Sequence, residues 1–173
     1  MRPRTLKAAA ERGDLEAVMY HLSNGADING TTAAGHFALG GAIINDHPHI
    51  VEFLLSNGAD VNLESEYGWT PLYIAAWKNR PECAALLLQA RARINTRTTE
   101  GWNSPPAYAP LHIAAACGHL AIVMMLITAG ARINARTGTR ETAFDLAKAN
   151  GHTSVVRFLA SLTTSRPLKK NPI

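Results

Sequence analysis

With only two cysteines, Cys83 and Cys117, among 173 residues, and neither in a CxxC or other metal-ligand spacing, the chain carries no disulfide framework and no zinc pattern. A reducing compartment is the simpler expectation: cytoplasmic first, with a nuclear place, or the host cytoplasm for a secreted bacterial protein, left open. No stretch approaches the roughly 18 uninterrupted apolar residues of a membrane span, so no membrane partner is expected. The opening Met1-Arg-Pro-Arg-Thr-Leu-Lys7 has no hydrophobic signal core, so export by the general route is not expected. Also missing are a phosphate-binding glycine loop, a GxSxG elbow and an HExxH pair. No catalytic residue, cofactor or metal is therefore assigned, and the chain is read as a non-enzyme.

What is present suffices for one folded unit. A hydrophobic content of 47% against 17% charged residues fits a domain with a continuous core and excludes disordered composition. The formal charge of +4 would suggest nucleic acid if it were spread evenly. Six of the positive charges instead lie at the ends, on Arg2, Arg4, Lys7, Arg166, Lys169 and Lys170. Residues 8–66 hold one basic residue, Arg12, against nine acidic ones, whereas residues 67–165 hold ten basic against four acidic. An electrically lopsided molecule follows, one that can take a partner with both charge signs or associate weakly with itself.

An internal period organises the chain. Asn-Gly-Ala-Asp-Ile-Asn at 24–29 returns as Asn-Gly-Ala-Asp-Val-Asn at 57–62, Ala-Arg-Ala-Arg-Ile-Asn at 90–95 and Ala-Gly-Ala-Arg-Ile-Asn at 129–134. The closing asparagines Asn29, Asn62, Asn95 and Asn134 are 33, 33 and 39 residues apart. Between them recurs Gly68-Trp-Thr-Pro-Leu-Tyr-Ile-Ala-Ala76, echoed in Ala109-Pro-Leu-His-Ile-Ala-Ala115 and more faintly at 35–42 and 142–147. In Thr70-Pro71 the threonine hydroxyl can cap a helix whose first position tolerates proline, because that amide has no partner inside the helix. Asn79, Gly118 and Gly151 mark the turn after it. A second helix then presents apolar groups such as Leu86-Leu87-Leu88 to its neighbours.

Over about residues 5–162 the two elements together resemble the ankyrin repeat. The resemblance implies an all-α solenoid of five stacked helix-turn-helix repeats joined by β-hairpin loops, the fingers. Its repeats are expected at about 1–29, 30–62, 63–95, 96–134 and 135–162, the first lacking its hairpin. Residues 163–173 are expected to form a loose basic tail. It also implies a binding role, with contacts at the hairpin tips and the exposed end of the first helix of each repeat.

Departures among the copies single out residues on those positions. Trp69 and Trp102 are expected at one hairpin position in successive repeats, Trp77 follows Ala75-Ala76, and Tyr67, Tyr73 and Tyr108 lie close in register, with Lys78 beside them. An aromatic strip for a protein partner is the expectation, set against these rings filling gaps between fingers. Six extra residues within 102–110, carrying three prolines, should lengthen and stiffen the fourth finger, or form a neutral loop. Arg93 and Arg132 replace an acidic residue, and with Arg97, Arg136 and Arg140 they can line a basic edge opposite Glu64 and Glu66. Solvated surface charge is the alternative.

Among seven histidines, His47, His119 and His152 share the turn that begins the second helix, a structural position. The resemblance gives His112 a role in bonding successive loops, but Lys7, Gly40, Tyr73 and Asp145 occupy the equivalent places, so no continuous ladder is expected there. It also likens Asn62, Asn95 and Asn134 to hydroxylation sites. The leading expectation is a protein-binding module held by repeats three and four. Alternatives are a binder of nucleic acid or another anionic surface, which no motif supports, and a regulatory subunit of an enzyme.

Overall fold

A computed structural model describes residues 4–33, 35–99 and 107–164. Ten helices occur among them, in five antiparallel pairs: α1 (Leu6–Arg12) with α2 (Leu15–Ser23), α3 (Ala38–Ile44) with α4 (Pro48–Ser56), α5 (Pro71–Lys78) with α6 (Pro81–Gln89), α7 (Pro110–Ala116) with α8 (Leu120–Thr128), and α9 (Ala143–Ala149) with α10 (Thr153–Thr164). Nine of the ten span no more than nine residues, too short for an isolated helix to persist in water. Caps and stacking therefore hold them. Thr70 Oγ1 accepts from the Tyr73 N–H at 3.2 Å ahead of Pro71, as its sequence implies, and Thr5, Asp14 and Thr142 cap their helices in the same way. Asn79, Gly118 and Gly151 all take a left-handed backbone after an inner helix.

The odd-numbered helices form an inner row in which each packs on the next, and α4, α6, α8 and α10 form an outer row. The inner row is threaded by Ala9, Ala42, Ala75, Ala114 and Ala147, each without solvent exposure. A methyl is the largest group that lets these backbones come so close, and a bulkier one would overpack them. In the outer row Leu54, Leu87, Leu126 and Leu159 form a matching buried column, where leucine-to-alanine truncation costs about 2–5 kcal/mol. No helix of the described residues is long and apolar enough to cross a membrane.

Two sets of side-chain bonds run along the stack. At the turn opening each outer helix, His47, Arg80, His119 and His152 reach back to the carbonyls of Glu11, Ile44, Trp77 and Ala116, the ends of the preceding inner helices, at 3.1, 3.0, 3.2 and 2.9 Å. These carbonyls have no partner within their own helices. The ladder is thus continuous, but through the turn residues and not through the His112 position. Arg80 keeps the pattern where histidine is absent and adds an ion pair to Asp46 at 3.3 Å. At the fingers, Asn29, Asn62 and Asn95 accept from the backbone N–H of Asp60, Arg93 and Arg132 in the following finger, at 2.8, 2.7 and 3.0 Å.

The fingers are tighter than the expected β-hairpins. Apart from one bridge, Thr31 to Phe37, the described residues pair in no strand. Each tip closes instead on a hydroxyl residue: Thr32, Ser65, Thr98 and Thr137 donate their N–H to the carbonyls of His36, Trp69, Tyr108 and Glu141, whose own N–H groups bond back to the hydroxyls. In the tips closed by Thr32, Ser65 and Thr137 the turn spans only five residues and satisfies its backbone without a ladder. The expected tail falls mostly outside the described residues, although α10 continues to Thr164.

His112 is buried at the start of α7. Its Nδ1 accepts from the Ala109 N–H at 3.1 Å, so the proton sits on Nε2, which donates to the Ala135 carbonyl at 2.9 Å. Burial holds its pKa below the usual histidine value of 6.5, as it does for His119. A histidine with a depressed folded pKa contributes stability that is complete above the unfolded value and is lost as pH falls below it. Thermal melts should therefore show Tm falling from pH 7 to pH 5. His112→Gln should lower Tm at pH 7 and shrink that fall; an undiminished fall would assign the pH dependence to other groups.

Candidate functional site

Aromatic side chains meet where the finger at 65–69 returns to α5. Ser65 holds this tip: its N–H bonds the Trp69 carbonyl at 3.2 Å, and its hydroxyl accepts from the Trp69 N–H at 3.1 Å. Gly68 takes φ of 69°, and a Cβ there would stand 2.8 Å from the Thr99 nitrogen of the next finger, so glycine is required. This geometry drops the Trp69 ring onto α5. It packs at centroid distances of 5.4 Å from Tyr67, 6.0 Å from Tyr73 and 5.2 Å from Trp77, and is nearly parallel to Tyr73. Lys78 Nζ lies 3.7 Å from the centre of the Trp77 ring, a cation–π contact.

The members of the expected strip differ in what they present. Tyr67 is 43% exposed and forms its outer edge, and Trp69 and Trp77 are half-buried beneath it. Tyr73, expected among the partner-facing rings, is only 3% exposed. It supports Trp69 from below, and burial raises its phenol pKa well above the ordinary value. The reason is its place inside α5, between the neighbouring inner helices α3 and α7. The Trp69 Nε1–H is buried without a hydrogen-bond partner among the described residues.

Trp102, expected at the place of Trp69, lies outside the described residues. Tyr108 is bonded as Trp69 is: its N–H bonds the Thr98 hydroxyl at 3.0 Å, and it stands two residues before the helix-opening Pro110 as Trp69 does before Pro71. Thr98 and Tyr108 are ten residues apart where Ser65 and Trp69 are four, so the six extra residues of the fourth finger lie between them. Tyr108 is half-buried and packs on His112 at 6.0 Å.

The arginines also do other work than expected. Arg97 donates to the Arg136 carbonyl and so ties two neighbouring fingers, whereas Arg136 donates to the Arg140 carbonyl at 2.8 Å and so braces its own finger. Arg140 occupies a left-handed turn with φ of 67°, where glycine stands in the other fingers at Gly35 and Gly68. Glu64 and Glu66 are exposed near the finger of the third pair. His47 and His49 bond the carbonyls of Glu11 and Gly13, so these ring nitrogens serve the stack. Burial pushes the Cys83 thiol up to about 11 and raises that of Cys117, which disfavours the thiolate.

One feature of the site escaped the sequence reading. A cleft opens on the inner row between α1, α3 and α5, walled by Phe37, Ile44, Ile74 and Trp69 and floored by Gly40 and Gly41. Its signal was present in Phe37-Ala-Leu-Gly-Gly-Ala42: two glycines stand where the next inner helices carry Tyr73-Ile74 and His112-Ile113.

A family model for ankyrin repeats, in three copies, matches residues 6–98 and 101–171. The chain belongs to the ankyrin-repeat family. Repeats of this family generally mediate protein–protein interaction and typically carry no enzymatic activity. Comparison with the curated proteins returns no match. In this ankyrin-repeat chain the packing separates support from display. Trp69→Ala should cost about 2–3 kcal/mol in urea unfolding through the lost ring packing, and Tyr67→Ala under about 1 kcal/mol. Equal costs for the two would contradict the separation.

Proposed function

We propose that this protein is a non-enzymatic interaction module that holds a partner protein against the fingers and inner row around its third and fourth helix pairs. The observation that carries the reading is the aromatic ledge. Tyr67 is exposed on a base of Trp69, Tyr73 and Trp77, with the Lys78 ammonium over the outer indole. Rings already stacked lose little rotational freedom when a partner covers them, which is why tyrosine and tryptophan dominate binding hot spots. Tyr108 extends the ledge to the fourth pair, and Glu64 and Glu66 add acidic groups beside it. The stack histidines bond carbonyls and the thiols are held protonated, so neither group competes as a catalytic centre.

An anionic ligand on the arginine edge fits less well. Arg97 and Arg136 already spend donors on finger carbonyls, leaving fewer forks for phosphate. The two free thiols agree with a reducing compartment such as the cytoplasm.

Affinity capture with the purified chain, compared with a Tyr67→Ala/Trp77→Ala double variant of unchanged circular dichroism, tests the reading. Proteins retained by the native chain should fall at least tenfold with the variant. Equal recovery by both would refute the ledge as the binding face.

A further inference from the structure

From the cleft over Gly40 and Gly41 we infer an anchor pocket that takes one ring-sized apolar side chain from an extended, lysine-bearing segment of a partner protein. This rests on the reading of the chain as a protein-binding module but concerns a different part of the inner row, the first three helix pairs.

Size is the first support. The cleft encloses about 130 Å³, close to the roughly 150 Å³ of a cavity that accepts benzene. It exists because α3 lacks side chains where α5 carries Tyr73 and Ile74. The glycines are held to that role by contact. A Cβ on Gly40 would approach the Phe37 ring to 3.0 Å, and one on Gly41 would approach Glu11 Cγ to 2.8 Å. Glycine inside a helix costs about 1 kcal/mol relative to alanine, and this pair clears a space instead of filling it. Phe37, Ile74 and Trp69 supply apolar walls for the guest.

A hydrogen-bond donor is the second support. Trp69 lines the cleft, and its Nε1–H is buried with no acceptor among the described residues. An unpaired buried donor is unfavourable, and a small turn of the ring on binding would present it to a backbone carbonyl of the bound segment. The third support is charge. Lys7 at the rim is neutralised by Glu11 at 2.6 Å, His36 is the remaining titratable lining group, and the Glu66 backbone abuts Gly35 at the opening. Over positions 1–66, which contain the cleft's first two helix pairs and its Lys7, nine acidic residues stand against four basic ones, so this part of the chain is net negative. Lysines flanking the anchor would be attracted to it, and acidic flanks repelled.

The test uses the full chain labelled with nitrogen-15 and the synthetic peptide acetyl-Lys-Ser-Phe-Ser-Lys-amide. Trp69→Phe assigns the Trp69 indole N–H resonance. The expected result is a saturable shift of that resonance and of the Gly41 amide, with binding at least tenfold weaker when alanine replaces the peptide's phenylalanine or glutamate replaces its lysines. Gly41→Ile installs the residue that α5 and α7 carry at this register, next to a flexible glutamate, and should abolish the shift. Glu66→Lys changes only exposed charge and should weaken binding threefold or more, which decides the matter if Gly41→Ile fails to fold. No shift, an equal shift with the alanine peptide, or unchanged affinity in the folded variants overturns the pocket. Capture that stays sensitive to Tyr67→Ala/Trp77→Ala while the peptide fails to bind would remove the pocket alone; loss of both would remove the module reading as well.

Discussion

The carbonyl at the end of each inner helix is bonded by the turn of the next pair, and the rest of the molecule depends on this repeated capture. Helices of seven to nine residues cannot stand alone. Their C-terminal carbonyls are left open by the helix itself, and a protein that buried them unpaired would be unstable. His47, Arg80, His119 and His152 close them along the whole stack, each from a different pair. The buried alanine column brings the inner helices close enough for these bonds, and the asparagines of the fingers repeat the same device at the other end of each pair. Order is therefore passed from neighbour to neighbour, as expected for a quasi-one-dimensional fold.

A scaffold held in this way leaves its inner surface free to vary. Where α5 places Tyr73 and Ile74, the finger above it gains a ring to rest on, and Trp69 and Tyr67 stack outward into a ledge. Where α3 places Gly40 and Gly41, nothing fills the space, and a cleft opens one pair away. Trp69 belongs to both: it stacks in the ledge and walls the cleft. Two surface features of opposite shape thus share a side chain. Charge follows the same division, with the acidic half of the chain on the side of the cleft and, beyond the ledge, Arg97 and Arg136 bonded to finger carbonyls.

Much of this was readable from residues alone because it is local or periodic. The Thr70-Pro71 cap, the left-handed turns at Asn79, Gly118 and Gly151, and the structural place of the turn histidines each follow from a short motif. The partner of Trp69 in the fourth finger was harder to read for the opposite reason. Two counts, from Asn95 forward or from Pro110 backward, give Trp102 or Tyr108 as the mate of Trp69, and the bond of the Tyr108 N–H to the Thr98 hydroxyl, which repeats that of Trp69 to Ser65, could not be read from either count. Tyr73 was placed on the surface because its exposure depends on the helices on either side. The glycines of α3 were legible as a departure from the pattern, but their consequence required Phe37, Ile74 and Trp69 from three different segments.

The sequence by itself determined the repeat, its period, the ends of the helices and the family to which the chain belongs. These rest on residue spacing and capping chemistry, which act within a few positions along the chain. The tertiary structure alone decided which rings are displayed and which support them, that the arginines bond carbonyls, and that a cleft lies beside the ledge. The burial of Tyr73 between neighbouring helices, the Arg97 bond and the walls of the cleft depend on residues about 30 or more apart, and distance along the chain carries no record of such contacts until the pairs stack.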